Sequence, residues 1–204
     1  MTTRPTGRLA RGTAAALLVL LAAGSSGGCA ARGAAGVTNV IPIPLREGIA
    51  TVAHFAPDGR RAEVVVARMP GAGAPSLMAL LPREGSGARD DGWDVVTIAE
   101  PTGGISGVFN PGRGAAVYAR AKIRGVPATL LLAAQPAADD PQPWGQPRRM
   151  DVLVYQLETG ARSASFTLLD RRTSTARYCD AADALAAQFS IALPGGAGLC
   201  GRAG

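Results

Sequence analysis

The sequence predicts an α+β domain, mainly β, in which an antiparallel sheet of hairpins carries a short C-terminal helix pinned by a disulfide. Three observations lead there. Val117, Ala119, Ala121 and Ile123 alternate with Tyr118, Arg120, Lys122 and Arg124, which is the period of a half-buried strand. Apolar runs rich in Val, Ile and Leu are separated by clusters of Gly, Pro and Asp, the punctuation of hairpins. Near the end, Asp180 precedes an Ala-rich run flanked by Cys179 and Cys200, which reads as a capped helix with a cysteine on either side.

Taken in order, Val37 to Leu45 is apolar but contains Pro42 and Pro44, which suits an edge strand or an extended entry segment better than a central strand, because proline cannot donate to a ladder. Ile49 to Phe55 and Ala62 to Arg68 flank Pro57-Asp58-Gly59-Arg60 and make a first hairpin. After a Gly- and Pro-rich turn from Met69 to Pro75, Ser76 to Leu81 is apolar but ambiguous in type. A polar loop from Arg83 to Gly92 follows, and Trp93 to Ala99 reads as one buried strand. Glu100 to Gly114 is a long glycine-rich loop without periodicity, a class that is often functional. Ala115 to Arg124 turns at Arg124-Gly125 into Ala128 to Ala134, a second hairpin. The Pro-rich loop Gln135 to Arg149 leads to strands Met150 to Leu157 and Ser163 to Leu169. The helix runs from Ala181 through Phe189, with Asp183 in its first turn and Pro194-Gly195-Gly196 as its stop.

The N-terminal stretch has a different character. Arg4, Arg8 and Arg11 precede an apolar run, Ala14 to Ala23, bounded by Gly24-Ser25-Ser26-Gly27-Gly28. A basic start, an apolar middle and small residues are the anatomy of a secretory signal peptide. The run is well short of the roughly 20 residues that span a bilayer core, so a retained transmembrane helix fits less well. Ser26-Gly27-Gly28-Cys29 resembles the lipobox of bacterial lipoproteins, the signal peptidase II motif cleaved before a cysteine that then carries a diacylglycerol. Ser26 stands where that pattern has Leu. The resemblance covers the export segment alone. It implies that residues 1–28 are a signal peptide and that Cys29 is the acylated first mature residue; the length that remains suits one ordinary domain, so 29–36 read as a tether and 37–204 as a single β-rich envelope domain. It also implies attachment of the protein to a membrane through its N-terminal lipid. Ala30, in place of an Asp after the cysteine, points by the same resemblance to the outer membrane, facing the periplasm. Cleavage after Ala30 or Ala31, giving a soluble periplasmic or secreted protein, is the alternative.

Charge and cysteine content narrow the class. The formal net charge of +6 falls to about +3 once Arg4, Arg8 and Arg11 are removed, so nucleic acid is not an implied partner. Cys179 and Cys200 form an even pair in an exported chain, which predicts a disulfide, worth roughly 3 kcal/mol for a loop of about 20 residues.

Few chemistries remain open. His54 is the single histidine, which excludes multi-histidine zinc sites. Ser106 lacks the spacing of a nucleophile elbow, and the residue three before Lys122, the single lysine, is Ala119, which excludes a Ser-x-x-Lys site. Neither a phosphate-binding loop nor a dinucleotide fingerprint occurs, so no catalytic residue, metal or cofactor is assigned. His54 reads as a solvated strand-end histidine rather than a base. Asp90, Asp91, Asp94, Asp139 and Asp140 read as solvated loop carboxylates rather than a calcium site.

Arg120, Lys122 and Arg124, beside Tyr118, put cations along one strand face and can attract anionic lipid, glycan or an acidic protein. The plainer reading of that row is a solvated face that discourages edge pairing. Trp144, in a loop, is either a partner contact or a cap on the core. The function this supports is a lipid-anchored envelope protein, a binding or structural module for another envelope component. The alternative is an envelope hydrolase or transferase without a recognisable motif.

Overall fold

A computed structural model describes residues 36–68, 74–83, 92–100, 103–142, 146–160 and 163–193. All of them belong to one compact unit, Ala31–Gly204. Eleven strands and one helix are present among them: β1 Val37–Pro42, β2 Gly48–Val52, β3 Ala62–Ala67, β4 Ser76–Pro82, β5 Trp93–Val95, β6 Thr97–Ala99, β7 Ile105–Ser106, β8 Ala115–Ile123, β9 Val126–Pro136, β10 Met150–Thr159, β11 Ala164–Thr173 and α1 Ala181–Phe189. The class is mainly β with one short helix, as the hairpin pattern implies. The strands divide into two sheets, of order β1-β8-β9-β10-β11-β6-β7 and β2-β3-β4-β5. All pairings are antiparallel except that of β6 with β11, Thr97 opposite Ser165.

The two sheets stack, and the helix lies on the far side of the larger one. Val64, Leu77 and Leu81 of the small sheet face Leu131, Leu153 and Tyr155 of the large one. On the opposite face, Leu130, Leu132, Val152 and Val154 meet Ala184 and Leu185 of α1. Alanines at 119, 121, 128 and 134 on the sheet and at 181 and 184 on the helix remove bulk from both surfaces, which lets a short helix approach closely. A single sheet packed on a helix is therefore corrected to three layers. The central strands β9 and β10 are buried on both faces, and their uninterrupted apolar runs follow from that.

Three rings fasten the middle layer. Phe55, from the β2–β3 connection, meets Tyr118 edge-on at 5.3 Å and Phe166 at 6.3 Å, while Tyr118 and Phe166 stack at 5.4 Å. Tyr118 and Phe166 stack across the two strands between them, so the large sheet curls around Phe55.

The run Trp93 to Ala99 is two strands. Trp93–Val95 pairs with β4, Val96 donates to the Ala79 carbonyl at 2.8 Å, and Thr97–Ala99 then joins the other sheet. Because the chain changes sheets at Val96, it closes one side of the sandwich as a corner. The loop after it is ordered in part: β7 lies at the edge of the large sheet, and Phe109 exchanges two backbone bonds with Leu77, at 2.8 and 2.9 Å.

The β8–β9 hairpin turns through Arg124 and Gly125 with φ of +50° and +86°, the signature of a two-residue type I′ turn. The chain enters the domain beside that turn. Val37 pairs with Ile123, and the Arg124 N–H donates to the Gly36 carbonyl at 2.9 Å. β1 is an edge strand that ends at Pro42, the first of the two readings its sequence allows.

Asp180 caps α1, its carboxylate accepting from Ala182 N–H at 2.8 Å, and Asp183 occupies the first turn. The helix spans the residues read into it and stops after Phe189: Ser190 adopts the left-handed conformation, φ +53°, and its N–H returns to the Ala186 carbonyl. Arg172 of β11 covers the Phe189 ring, 5.6 Å from its centre. Among the described residues no helix is long and apolar enough to cross a membrane.

Candidate functional site

The alternation along β8 holds, but its two faces have different surroundings from those expected. Val117, Ala119, Ala121 and Ile123 line the helix side. On the other face, Tyr118 is fully enclosed by the small sheet, so it belongs to the core and not to a solvated contact row. Its hydroxyl has no hydrogen-bond partner among the described residues, and burial pushes its pKa above the ordinary tyrosine range. Arg120 and Lys122 lie further out, where the large sheet overhangs the small one, and both are exposed.

This overhang is where the β2–β3 connection docks. Arg120 Nη2 donates to the Ala53 carbonyl at 2.6 Å, and Thr129, directly opposite Arg120 on β9, donates its hydroxyl to the Phe55 carbonyl. The residue between these captured carbonyls is His54, held at φ +50° with its side chain exposed. It therefore sits in a turn and not in a strand. It makes no hydrogen bond or ion pair among the described residues. Ile41, opposite Arg120 on β1, is 64% exposed on the same face. Arg120, Lys122 and Arg124 form no ion pair among the described residues, and Lys122, Arg124 and Val126 are all exposed at the hairpin end.

A second surface lies in the Glu100 to Gly114 loop. Ile105 is 78% and Val108 45% exposed, and Gly107 between them is covered by Val95, itself 44% exposed. A Cβ placed on Gly107 would lie 2.6 Å from Val95 Cγ1, so Val95 packs on the glycine backbone of the segment that carries the exposed Ile105 and Val108. The sequence offered one signal for this group, the isolated apolar residues of a Gly-rich loop, but the contribution of Val95 depends on the sheet switch at Val96.

The Gln135 to Arg149 loop contains an ion-paired rivet. Asp140 is buried, which corrects its reading as a solvated carboxylate. It accepts from Arg149 N–H at 2.8 Å and from Arg177 Nη1 at 3.3 Å, with Arg149 Nε 3.7 Å away. The Arg149 N–H bond foremost, then the Arg177 and Arg149 charges, hold its pKa below the ordinary carboxylate range. Because the folded-state pKa is lowered, the stabilisation is present above about pH 4 and is lost as pH falls. Asp140→Asn is expected to lower stability at neutral pH and to flatten the loss between about pH 6 and about pH 3. Urea unfolding at several pH values checks this, and parallel pH profiles for both proteins would refute it.

Asp139 pairs with Arg149 at 3.0 Å and Asp94 with Arg83 at 3.0 Å, so both carboxylates have cationic partners. Among the described residues no group of three metal-ligating side chains occurs. Trp144, Asp90, Asp91, Cys29, Cys200 and residues 194–196 lie outside the described residues, as do the signal segment and most of the tether. Cys179, just before α1, is disulfide-bonded. Comparison of the chain with protein-family models, with curated proteins and with solved structures gives no match.

Proposed function

We propose that this chain is a lipid-anchored protein of the cell envelope, held by an acylated Cys29 in the outer membrane and facing the periplasm. In this reading its β-rich domain is a non-enzymatic module that binds another envelope protein. Cys179 pairs with Cys200, fastening the tail beyond α1 to the head of the helix. The observation that carries the binding role is the exposed group of Val95, Ile105 and Val108, since apolar side chains gathered at a sheet edge favour a protein partner. His54 supports the non-enzymatic side. Exposed on a turn, it has the setting of a side chain solvated by water rather than of an oriented base.

Crosslinking in intact cells, followed by mass spectrometry of co-purifying protein, tests this reading. One dominant envelope protein is expected with the wild-type chain, and Ile105→Asp is expected to reduce its recovery by about tenfold or more, the scale of one hot-spot contact. The same partner recovered in full from the variant would move the contact elsewhere. No partner from the wild-type chain would remove the binding role.

A further inference from the structure

We propose that the outer end of the β8–β9 hairpin, with Lys122, Arg124 and the exposed Val126, rests on anionic phospholipid headgroups of the leaflet in which Cys29 is anchored. The inference rests on that anchoring. It adds an orientation: the hairpin end faces the lipid, leaving the Val95, Ile105 and Val108 group to the protein partner.

The first observation is where the chain enters the domain. Gly36, the last tether residue, accepts from Arg124 N–H at 2.9 Å, and a Cβ built on it would lie 3.1 Å from Arg124 Cγ. The seven residue steps from Cys29 to Gly36 span at most about 25 Å when fully extended. An acylated Cys29 therefore keeps this turn within about 25 Å of its own attachment point, and no other turn among the described residues is tied so directly to it.

The second observation is chemical. Lys122 and Arg124 are exposed without an ion pair among the described residues, and Arg120 spends its one hydrogen bond on the neutral Ala53 carbonyl. The hairpin end thus keeps its positive charge. Val126, 65% exposed beside the turn, supplies an apolar residue at the same tip. Cations on one face of the hairpin tip and an exposed apolar side chain on the other, where Val126 lies opposite Ile123, suit a headgroup layer, which offers negative charge above a hydrocarbon boundary. Each basic side chain near an anionic surface raises partitioning by about fivefold, and tethering makes the contact intramolecular, so a weak site is enough.

The test uses the processed full-length protein reconstituted into phosphatidylcholine vesicles, with or without phosphatidylglycerol. The mass of the N-terminal peptide and hydrogen exchange across residues 120–127 are read from the same sample. The expected result is an acylated Cys29 with the hairpin protected from exchange only when phosphatidylglycerol is present, and protection lost at high salt. Lys122→Gln with Arg124→Asn removes two charges while creating the Asn-Gly pair that type I′ turns favour, so the hairpin is retained. In the non-acylated Cys29→Ser background that pair is expected to weaken sedimentation with phosphatidylglycerol vesicles by about 25-fold. An acylated chain whose hairpin exchanges alike on both vesicles, or an unchanged affinity in the double variant, overturns this proposal and leaves the anchor intact. A Cys29 without lipid overturns the anchor, and the proposed orientation with it.

Discussion

Gly114→Ala is expected to destabilise the domain by about 3 kcal/mol or more, a large part of the roughly 5–15 kcal/mol that holds a domain folded. Gly114 precedes β8 where that strand begins to pair with β9. A Cβ there would lie 2.2 Å from the Ala134 carbonyl oxygen and 3.0 Å from that of Pro111. Both obstacles are backbone. A flexible side chain could swing aside, but relieving this clash means separating β8 from β9 or breaking the Gly114 to Pro111 hydrogen bond, 2.8 Å long. Gly125→Ala is the comparison. It sits at φ +86° with open space around it, so its cost is confined to backbone strain of about 1–2 kcal/mol. Urea denaturation followed by tryptophan fluorescence measures both. Equal losses would mean that the strands accommodate a methyl group at Gly114.

The elements that were legible in the sequence are those whose cause is local. The turns at Pro57-Asp58-Gly59 and Arg124-Gly125 carry their own conformational demands, with Gly59 at φ +90° and Gly125 at φ +86°. Likewise, the Asp180 cap needs only a partner two residues away. What was not legible is how the hairpins stack. The side chains of Tyr118 and Arg120 project from one face of β8, yet one is enclosed and the other exposed, because the small sheet stops between them. Alternation along a strand reports which side chains share a face and cannot report how far another sheet covers it. One signal for a further layer was present: Ala128 to Ala134 has no polar residue on either side of the pleat except Thr129, as a strand covered on both faces requires.

The candidate site divides in the same way. The cations of β8 could be read from spacing, whereas the Asp140 rivet joins partners 9 and 37 residues away and leaves no local mark. The split of Trp93 to Ala99 between two sheets is equally silent, since the apolar character passes through Val96 unbroken. That split is what places Val95 over Gly107 and assembles the apolar group proposed to meet a partner.

Phe166→Ala is expected to cost about 3–5 kcal/mol, the usual range for deleting a fully buried aromatic side chain. Phe166 has no exposed surface and touches both Phe55 from the small sheet side and Tyr118 from β8, so its removal opens a cavity at the junction of the two sheets. The neighbouring elements are poorly placed to fill it: Phe55 is fixed through its carbonyl by Thr129, and Tyr118 lies on a strand paired on both sides. Tyr118→Phe is the informative partner in the same cluster. It keeps the ring and removes a buried hydroxyl that has no partner among the described residues, so it is expected to be neutral or stabilising by up to about 1 kcal/mol. The two variants together separate ring packing from polar satisfaction. A loss under about 1 kcal/mol for Phe166→Ala would show that the sheets are held together elsewhere. A clear loss for Tyr118→Phe would show that its hydroxyl is satisfied in solution.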